Sequence, residues 1–184
     1  VERPDAVILA TGARPYRPEI PIDDSIQIVD AWQVLRREVK TGSRVVVVDW
    51  RCDWIGPGIA ELLTGEGCSV DLAVNGTHPG ELLPLYVRDN IAAELHRIGV
   101  RVTPYARLYG GDGGTVYMQH TTSDQPILFE GVDTLVLCLG HEPVDELSGI
   151  LRDLVPEVHI IGDGLAPRTA EEAVYEGLKV AARL

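Results

Sequence analysis

The sequence predicts an α/β fold built on parallel strands, and three observations carry that reading. Short unbroken apolar runs, AVILA at Ala6–Ala10 and VVVV at Val45–Val48, fit strands buried on both faces rather than edge strands with one wet face. In the middle of the chain RVVVVD is followed by Ile55, Ile59, Leu62 and Leu63 at helical spacing, then by SVDLAV from Ser69 to Val74. That order is a strand–helix–strand unit, whose two strands are expected to lie parallel. Near the end a further strand, Val158–Ile161, leads through Gly162 and Asp163 to a helix opened by Thr169, with Glu172 as its capping-box partner.

Taken in order, the first strand ends at Thr11-Gly12, and Pro15, Pro18 and Pro21 then make a stiff connector. Asp30 is placed to cap a helix running to about Arg37, and Lys40–Ser43 turns the chain into the central strand. After Val74 a loop leads to an amphipathic helix on which Val87, Ile91, Leu95 and Ile98 share a face, ended by Gly99. The stretch VRVTPYARLYGGDGGTVYMQH reads as strands around a glycine tip at Gly110–Gly114, and PILFEGVDTLVLCLG supplies two more. No helix follows that tip, so it is a hairpin turn and not a phosphate cradle. On the last helix Ala170, Ala173, Val174, Gly177, Leu178 and Ala181 form an apolar face, with small residues that permit close packing on a sheet.

Composition narrows the function classes. With 28 acidic and 16 basic residues the formal net charge is -12, which repels phosphate backbones and anionic membrane surfaces. Nucleic acid is not expected as a partner. No apolar run approaches the roughly 18–20 residues a membrane helix needs, so the expected location is the cytoplasm, with no membrane contact. Cys52, Cys68 and Cys138 are widely spaced and never form a CxxC pair, and no His stands at ligand spacing to another ligand, so no metal site is assigned. The chain opens at Val1 without a methionine and is read as a piece of a longer protein.

DAVILATGARP near the start, the strand–helix–strand unit, TLVLCLGHEP and the closing VHIIGDGLAPRTAEEAVYEGLKVA occur in an order and spacing that carry a family resemblance. Over essentially its whole length the chain resembles the C-terminal FAD/NAD(P)-binding-type region of the iron–sulfur flavoproteins. That family is related to old yellow enzyme and includes 2,4-dienoyl-CoA reductase, trimethylamine dehydrogenase and histamine dehydrogenase. The resemblance implies a Rossmann-like parallel-sheet domain, residues 23–140, inserted into part of a second FAD-type nucleotide-binding domain, residues 1–22 and 141–184. It also implies an upstream barrel with FMN and a 4Fe-4S cluster, neither of which is written in this stretch.

The implied role is that of a nucleotide-cofactor region serving electron transfer in an NADH:flavin oxidoreductase-type enzyme, of the dienoyl-CoA reductase or amine dehydrogenase/demethylase kind. The stretch alone is not expected to be catalytic, and no catalytic residue is assigned. By the resemblance, Asp163 matches an aspartate that bonds the ribityl chain of FAD, with Gly162 beside it. Thr169 and Ala170 open the helix that points toward the flavin end. Ala10, Thr11 and Gly12 match a strand end lying against the nucleotide. FAD or ADP is the implied ligand, with the barrel of the same polypeptide as partner, a further electron carrier as a second, and a homo-oligomer as the full-length assembly.

The middle domain departs from its pattern. A dinucleotide fingerprint uses three glycines, for the tight turn, for approach to the pyrophosphate and for helix-on-strand packing. Here Arg51 and Asp53 hold the first two positions and Gly56 the third, while Asn75 stands where an acidic residue would hold the ribose. The departure is similar to the trimethylamine dehydrogenase side of the family and leaves NAD(P)H use doubtful. The alternative reading is a non-catalytic structural or docking module that keeps the fold without binding NAD(P)H.

Overall fold

The computed structural model describes residues 4–184; Val1–Arg3, which the sequence reading assigns to the flanking domain, lie outside them. Contacts within the chain define two units. The segment up to Tyr16 joins Gly140–Leu184 in a flanking unit, and Arg17–Leu139 form a middle unit. In chain order the flanking unit supplies β1 (Ala6–Leu9) and β2 (Ala13–Pro15). The middle unit follows with β3 (Gln27–Asp30), α1 (Ala31–Leu35), β4 (Arg44–Asp49), α2 (Ile55–Gly65), β5 (Ser69–Val74), α3 (Leu85–Arg97) and β6 (Arg101–Thr103). It continues with β7 (Ala106–Asp112), β8 (Thr115–His120), β9 (Pro126–Phe129) and β10 (Thr134–Cys138). The flanking unit resumes with β11 (His141–Pro143), α4 (Ser148–Arg152), β12 (Glu157–Ile160), a 3-10 turn at Gly162–Gly164 and α5 (Ala170–Ala181).

The middle unit centres on a parallel sheet in the order β3-β10-β4-β5-β6. Its central strands carry unbroken apolar runs, Val45–Val48 and Leu135–Cys138, because both faces are covered. Val45, Val47, Leu72 and Val136 face a core that Ile59 and Leu63 of α2 and Leu95 of α3 complete. Val46, Val48, Ala73, Leu135 and Leu137 face a second core, completed by Leu108, Val116, Met118 and Phe129 of the antiparallel sheet β7-β8-β9. Each of the larger side chains among them contributes roughly 1.5–3 kcal/mol when fully buried. This layering is what the unbroken valine run predicts.

Three local differences from the sequence reading have physical causes. Gln27–Asp30 is a strand, too short and too polar at its start to stand out by periodicity, and Asp30 at its end still caps α1 in a full capping box with Gln33. That helix stops at Leu35, because the chain reverses at Arg37, where φ is +59°. Of the glycine tip, only Gly113 and Gly114 make the turn between β7 and β8, both at positive φ. Gly110 and Gly111 lie within β7, where a Cβ would stand 2.8 Å from the Pro21 carbonyl oxygen and 2.9 Å from Ile26 Cδ1, so they are there for close approach.

In the flanking unit β1 pairs parallel with β12, Leu9 opposite Ile160, and β2 pairs antiparallel with β11. The expectation that the first strand is buried on both faces is corrected: only Leu9 is buried and Ile8 is 43% exposed. The predicted apolar face of α5 is likewise uncovered, with Val174 72% and Leu178 68% exposed. A two-stranded sheet has too little area to cover a helix face. Its small residues lie against the strand end, Ala173 beside Gly162 and Gly177 beside Ile161. Among the described residues no helix is long and apolar enough to cross a membrane.

Candidate functional site

The flanking unit brings two strand ends to one place. Parallel pairing of β1 with β12 continues one residue past the strands, where the Ile161 amide donates to the Leu9 carbonyl at 2.9 Å. Both chains turn there on a left-handed glycine, Gly12 at φ +76° and Gly162 at φ +61°. The 3-10 turn lies so close to the first strand end that a Cβ on Gly164 would meet Thr11 Oγ1 at 2.9 Å. An open cleft of about 360 Å³ results, lined by Ala10, Gly12, Gly162, Asp163, Thr169 and Ala170 among others. Thr11 lies beside it, its hydroxyl donated to the Val144 carbonyl, while the Val144 amide returns a bond to Gly12.

The polar chemistry of this cleft is mixed. Asp163 is exposed, and its Oδ1 accepts from the Arg168 amide at 3.3 Å. At the start of α5 the Thr169 hydroxyl accepts from the Glu171 amide at 3.3 Å, and Glu172 accepts from the Thr169 amide at 3.0 Å and its hydroxyl at 2.5 Å. These bonds, the Thr169 hydroxyl first, hold the Glu172 carboxyl below its usual range. With Glu171 and Glu172 both in the first turn, this helix start is already supplied with negative charge. It suits a hydroxyl-bearing ligand better than a second anion. Arg168 lines the same cleft and is paired with Glu176, whose other oxygen accepts from the Gly162 amide at 2.7 Å. Sequence reasoning missed Glu176, although it lies seven residues past the cap, two turns along the same face of α5 as Thr169.

The middle unit has a corresponding place at the end of β4, and there the donors are consumed. Asp49 is fully buried, and its Oδ1 accepts from the amides of Arg51 at 3.0 Å and Cys52 at 2.8 Å. Asp53 Oδ1 accepts from the Ile55 amide at 2.8 Å, and its Oδ2 pairs with Arg51 Nε at 2.9 Å. The left-handed residue of the turn is Cys52, φ +52°, between the two positions where the fingerprint expects glycine. Gly56 does pack helix on strand: a Cβ there would lie 2.6 Å from Asp49 Oδ2 and 2.7 Å from Asp49 Cβ. The next loop closes over this turn, the Leu82 amide donating to the Cys52 carbonyl and the Gly76 amide to its Sγ.

Charge follows from this enclosure. Burial is the main cause that lifts the Asp49 carboxyl to about 7, with Asp53 adding repulsion and the two amide bonds opposing. Oδ2 of Asp49 has no partner. Burial and the same carboxylates push the Cys52 thiol up to about 11 and raise Cys138 well above its usual value, so both stay protonated. A dinucleotide pyrophosphate does not fit this loop: its amides are occupied by the chain's own carboxylates and its interior is acidic. Among the described residues no group of three His, Cys, Asp or Glu is gathered for a metal ion.

The architecture defines the class: an α/β region like the FAD/NAD(P)-binding domains of flavoprotein reductases. The water-forming NADH oxidase of Lactobacillus brevis bound to NADH superposes with a TM-score of 0.68 at 19% identity, over 96% of this chain and 45% of that one. Nearer matches in shape are histamine dehydrogenase from Rhizobium sp. 4-9, TM-score 0.89 at 22% identity over 98% of this chain, and a 2-naphthoyl-CoA reductase, 0.83 at 24% over 99%. No family model matches the chain. In sequence it is similar to a metal reductase of Desulforamulus reducens, 27% identical over 92% of this chain and 29% of that protein. It is also similar to an N,N-dimethylglycine/sarcosine dehydrogenase of Chromohalobacter salexigens, 26% identical over 96% of this chain and 23% of that protein. The resemblance read from the motifs is thus borne out as a likeness over nearly the whole chain to parts of such oxidoreductases, and the chain spans under a third of the length of these relatives.

Proposed function

We propose that the chain is the nucleotide-cofactor region of a larger FMN- and iron–sulfur-dependent oxidoreductase, and that its flanking unit is the later part of an FAD-type domain holding FAD or ADP. The observation that carries this reading is the cleft where Gly12, Gly162, Asp163 and the start of α5 meet. Gly12 leaves open space where a Cβ would stand, so ligand atoms can approach the backbone. The Asp163 carboxylate accepts from ligand hydroxyls, and Thr169 and Ala170 set the direction of the helix beside them. When bound, a flavin dinucleotide supplies hydride and single-electron chemistry, and ADP supplies an anchor only. Substrate acid–base chemistry belongs to the barrel of the same polypeptide, with electrons passed to a carrier; the whole protein is a cytoplasmic homo-oligomer.

The test is nucleotide content. Full-length protein should release FAD or ADP on denaturation, in stoichiometric amount, and Asp163→Ala should lower retention by about tenfold or more. A full-length protein that releases neither sinks the reading.

A second reading concerns the middle unit alone. It is a structural or docking module that has kept the parallel sheet and given up NAD(P)H, and the occupied amides of Arg51, Cys52 and Ile55 favour it. Bleaching of the bound flavin on rapid mixing with NADH or NADPH would overturn it.

A further inference from the structure

The turn that presents Asp163 is held from behind by one side chain. Glu176 lies mid-way along α5, and its side chain is 14% exposed. One carboxylate oxygen accepts from the Gly162 amide at 2.7 Å, and the other takes Nη2 of Arg168. Arg168 in turn reaches the Ala166 carbonyl through Nε at 3.3 Å, and its own amide bonds Asp163 Oδ1 at 3.3 Å. The ring runs from α5 to the strand end, through the turn and back to α5, and the ligand-facing carboxylate lies on it.

Among the described residues Glu176 bonds Gly162 and Arg168 alone. Gly162 needs its left-handed φ of +61° to send the chain from β12 into the 3-10 turn, and its amide faces α5 rather than the cleft. Without a carboxylate there, that amide would be left against the Ala173 side of the helix with no acceptor. Charge-assisted bonds of this kind are the stronger ones, and this one is mostly shielded from water.

We propose that Glu176 is a positioning residue for the candidate nucleotide site: its carboxylate fixes the Gly162–Asp163 turn and parks Arg168 at the rim of the cleft. The inference rests on the proposed function for its ligand and on the bonds above for its geometry. Its substrate-side consequence is specificity. With Arg168 neutralised by Glu176, Asp163, bonded to the Arg168 amide, is the charged group of the cleft lining that has no ion-pair partner among the described residues, so the cleft selects ligand hydroxyls over phosphate.

The experiment compares Glu176→Gln and Glu176→Ala with Asp163→Ala and the unaltered full-length protein, by amide hydrogen exchange and by equilibrium binding of ADP and FAD. Glu176→Ala should speed exchange across Gly162–Thr169 by about tenfold and weaken nucleotide binding by a similar factor. Glu176→Gln keeps an acceptor for the Gly162 amide, so exchange should stay near the unaltered rate while Arg168, released, tightens binding of inorganic pyrophosphate. Unchanged exchange in Glu176→Ala overturns the inference. Faster exchange with unchanged nucleotide affinity also overturns it, because the residue would then be structural only. An unaltered protein that binds neither nucleotide, behaving like Asp163→Ala, overturns the proposed function, and the inference falls with it in a recognisable way.

Discussion

Two strand ends in this molecule share a local plan, and in both the chain's own side chains take amides of the turn, but they differ in what lies beside the turn. At Leu9–Gly12 and Ile161–Gly164 the chain turns on glycines, leaves open space beside Gly12, and presents an exposed carboxylate to a cleft. At Asp49–Gly56 it turns on Cys52, fills the amides of the turn with Asp49 and Asp53, and covers them with the loop that follows β5. A strand–turn–helix motif binds a ligand anion through unsatisfied amides. Internal carboxylates satisfy such amides at both turns, so what sets the flanking strand end apart is the open cleft beside Gly12 and Asp163 rather than free amides. The middle turn is enclosed by Asp49, Asp53, Cys52 and the loop that follows β5, whereas the flanking one opens on a cleft.

The largest expected effect tests whether the filled turn carries the cost of a buried charge. The Asp49 carboxyl titrates at about 7 in the folded chain against an ordinary 3.8. Its folded value is raised, so the folded state holds the proton more tightly than the unfolded one. Below pH 3.8 both states are protonated and there is no penalty; as pH rises to about 7 stability falls, and above that it levels off. The whole loss is on the order of 4 kcal/mol, at about 1.36 kcal/mol for each pKa unit. Asp49→Asn keeps an acceptor for the Arg51 and Cys52 amides and has no proton to lose, so its urea midpoint should change far less between pH 4 and 8. Parallel pH profiles for the two proteins would show that the buried carboxylate is not what the turn is built around.

A glycine at each turn sharpens the contrast. Gly56→Ala puts a Cβ against Asp49 Cβ and Oδ2 in the body of the sheet, where neither can retreat, and should cost roughly 1–3 kcal/mol. Gly12→Ala meets nothing within 4 Å, so its cost comes from φ +76° alone, about 1 kcal/mol. Chemical denaturation read for each unit should place Gly56→Ala well below Gly12→Ala in stability. The order for nucleotide retention should reverse, since only Gly12 lies in the cleft.

Much of this was legible in the sequence, for reasons that differ by residue. Val45–Val48 and Leu135–Cys138 announce strands because a sheet covered on both faces admits no polar alternation. Thr169 and Glu172 announce a helix start because their bonds are local, and the structure contains both. Ala10, Gly12, Gly162, Asp163, Thr169 and Ala170, grouped beforehand by the resemblance alone, line one cleft with Thr11 beside it, and nothing local says that residues so far apart in sequence meet. Glu176 was not legible, because its two partners are Gly162 and Arg168 and a glutamate mid-helix reads as a solvated one. Nor was the uncovered face of α5: periodicity tells which residues are apolar, and only the extent of the sheet beneath tells whether they are buried.

The smallest effects compare the two helix starts directly. Asp53 bonds the Ile55 amide at the start of α2, and Thr169 bonds the Glu171 amide at the start of α5. Alanine at either position removes one cap, so each should lower stability by about 1 kcal/mol, readable as a small fall in urea midpoint. Their ligand effects should differ. Thr169→Ala opens an amide next to the cleft but leaves Glu171 and Glu172 in the first turn, so pyrophosphate should gain little. Asp53→Ala frees the Ile55 amide and unpairs Arg51, two features that attract an anion, while Asp49 still occupies the Arg51 and Cys52 amides. Isothermal titration with pyrophosphate should therefore find weak new binding in Asp53→Ala and none in Thr169→Ala; binding by the unaltered middle unit would mean that its turn is not closed by its own carboxylates.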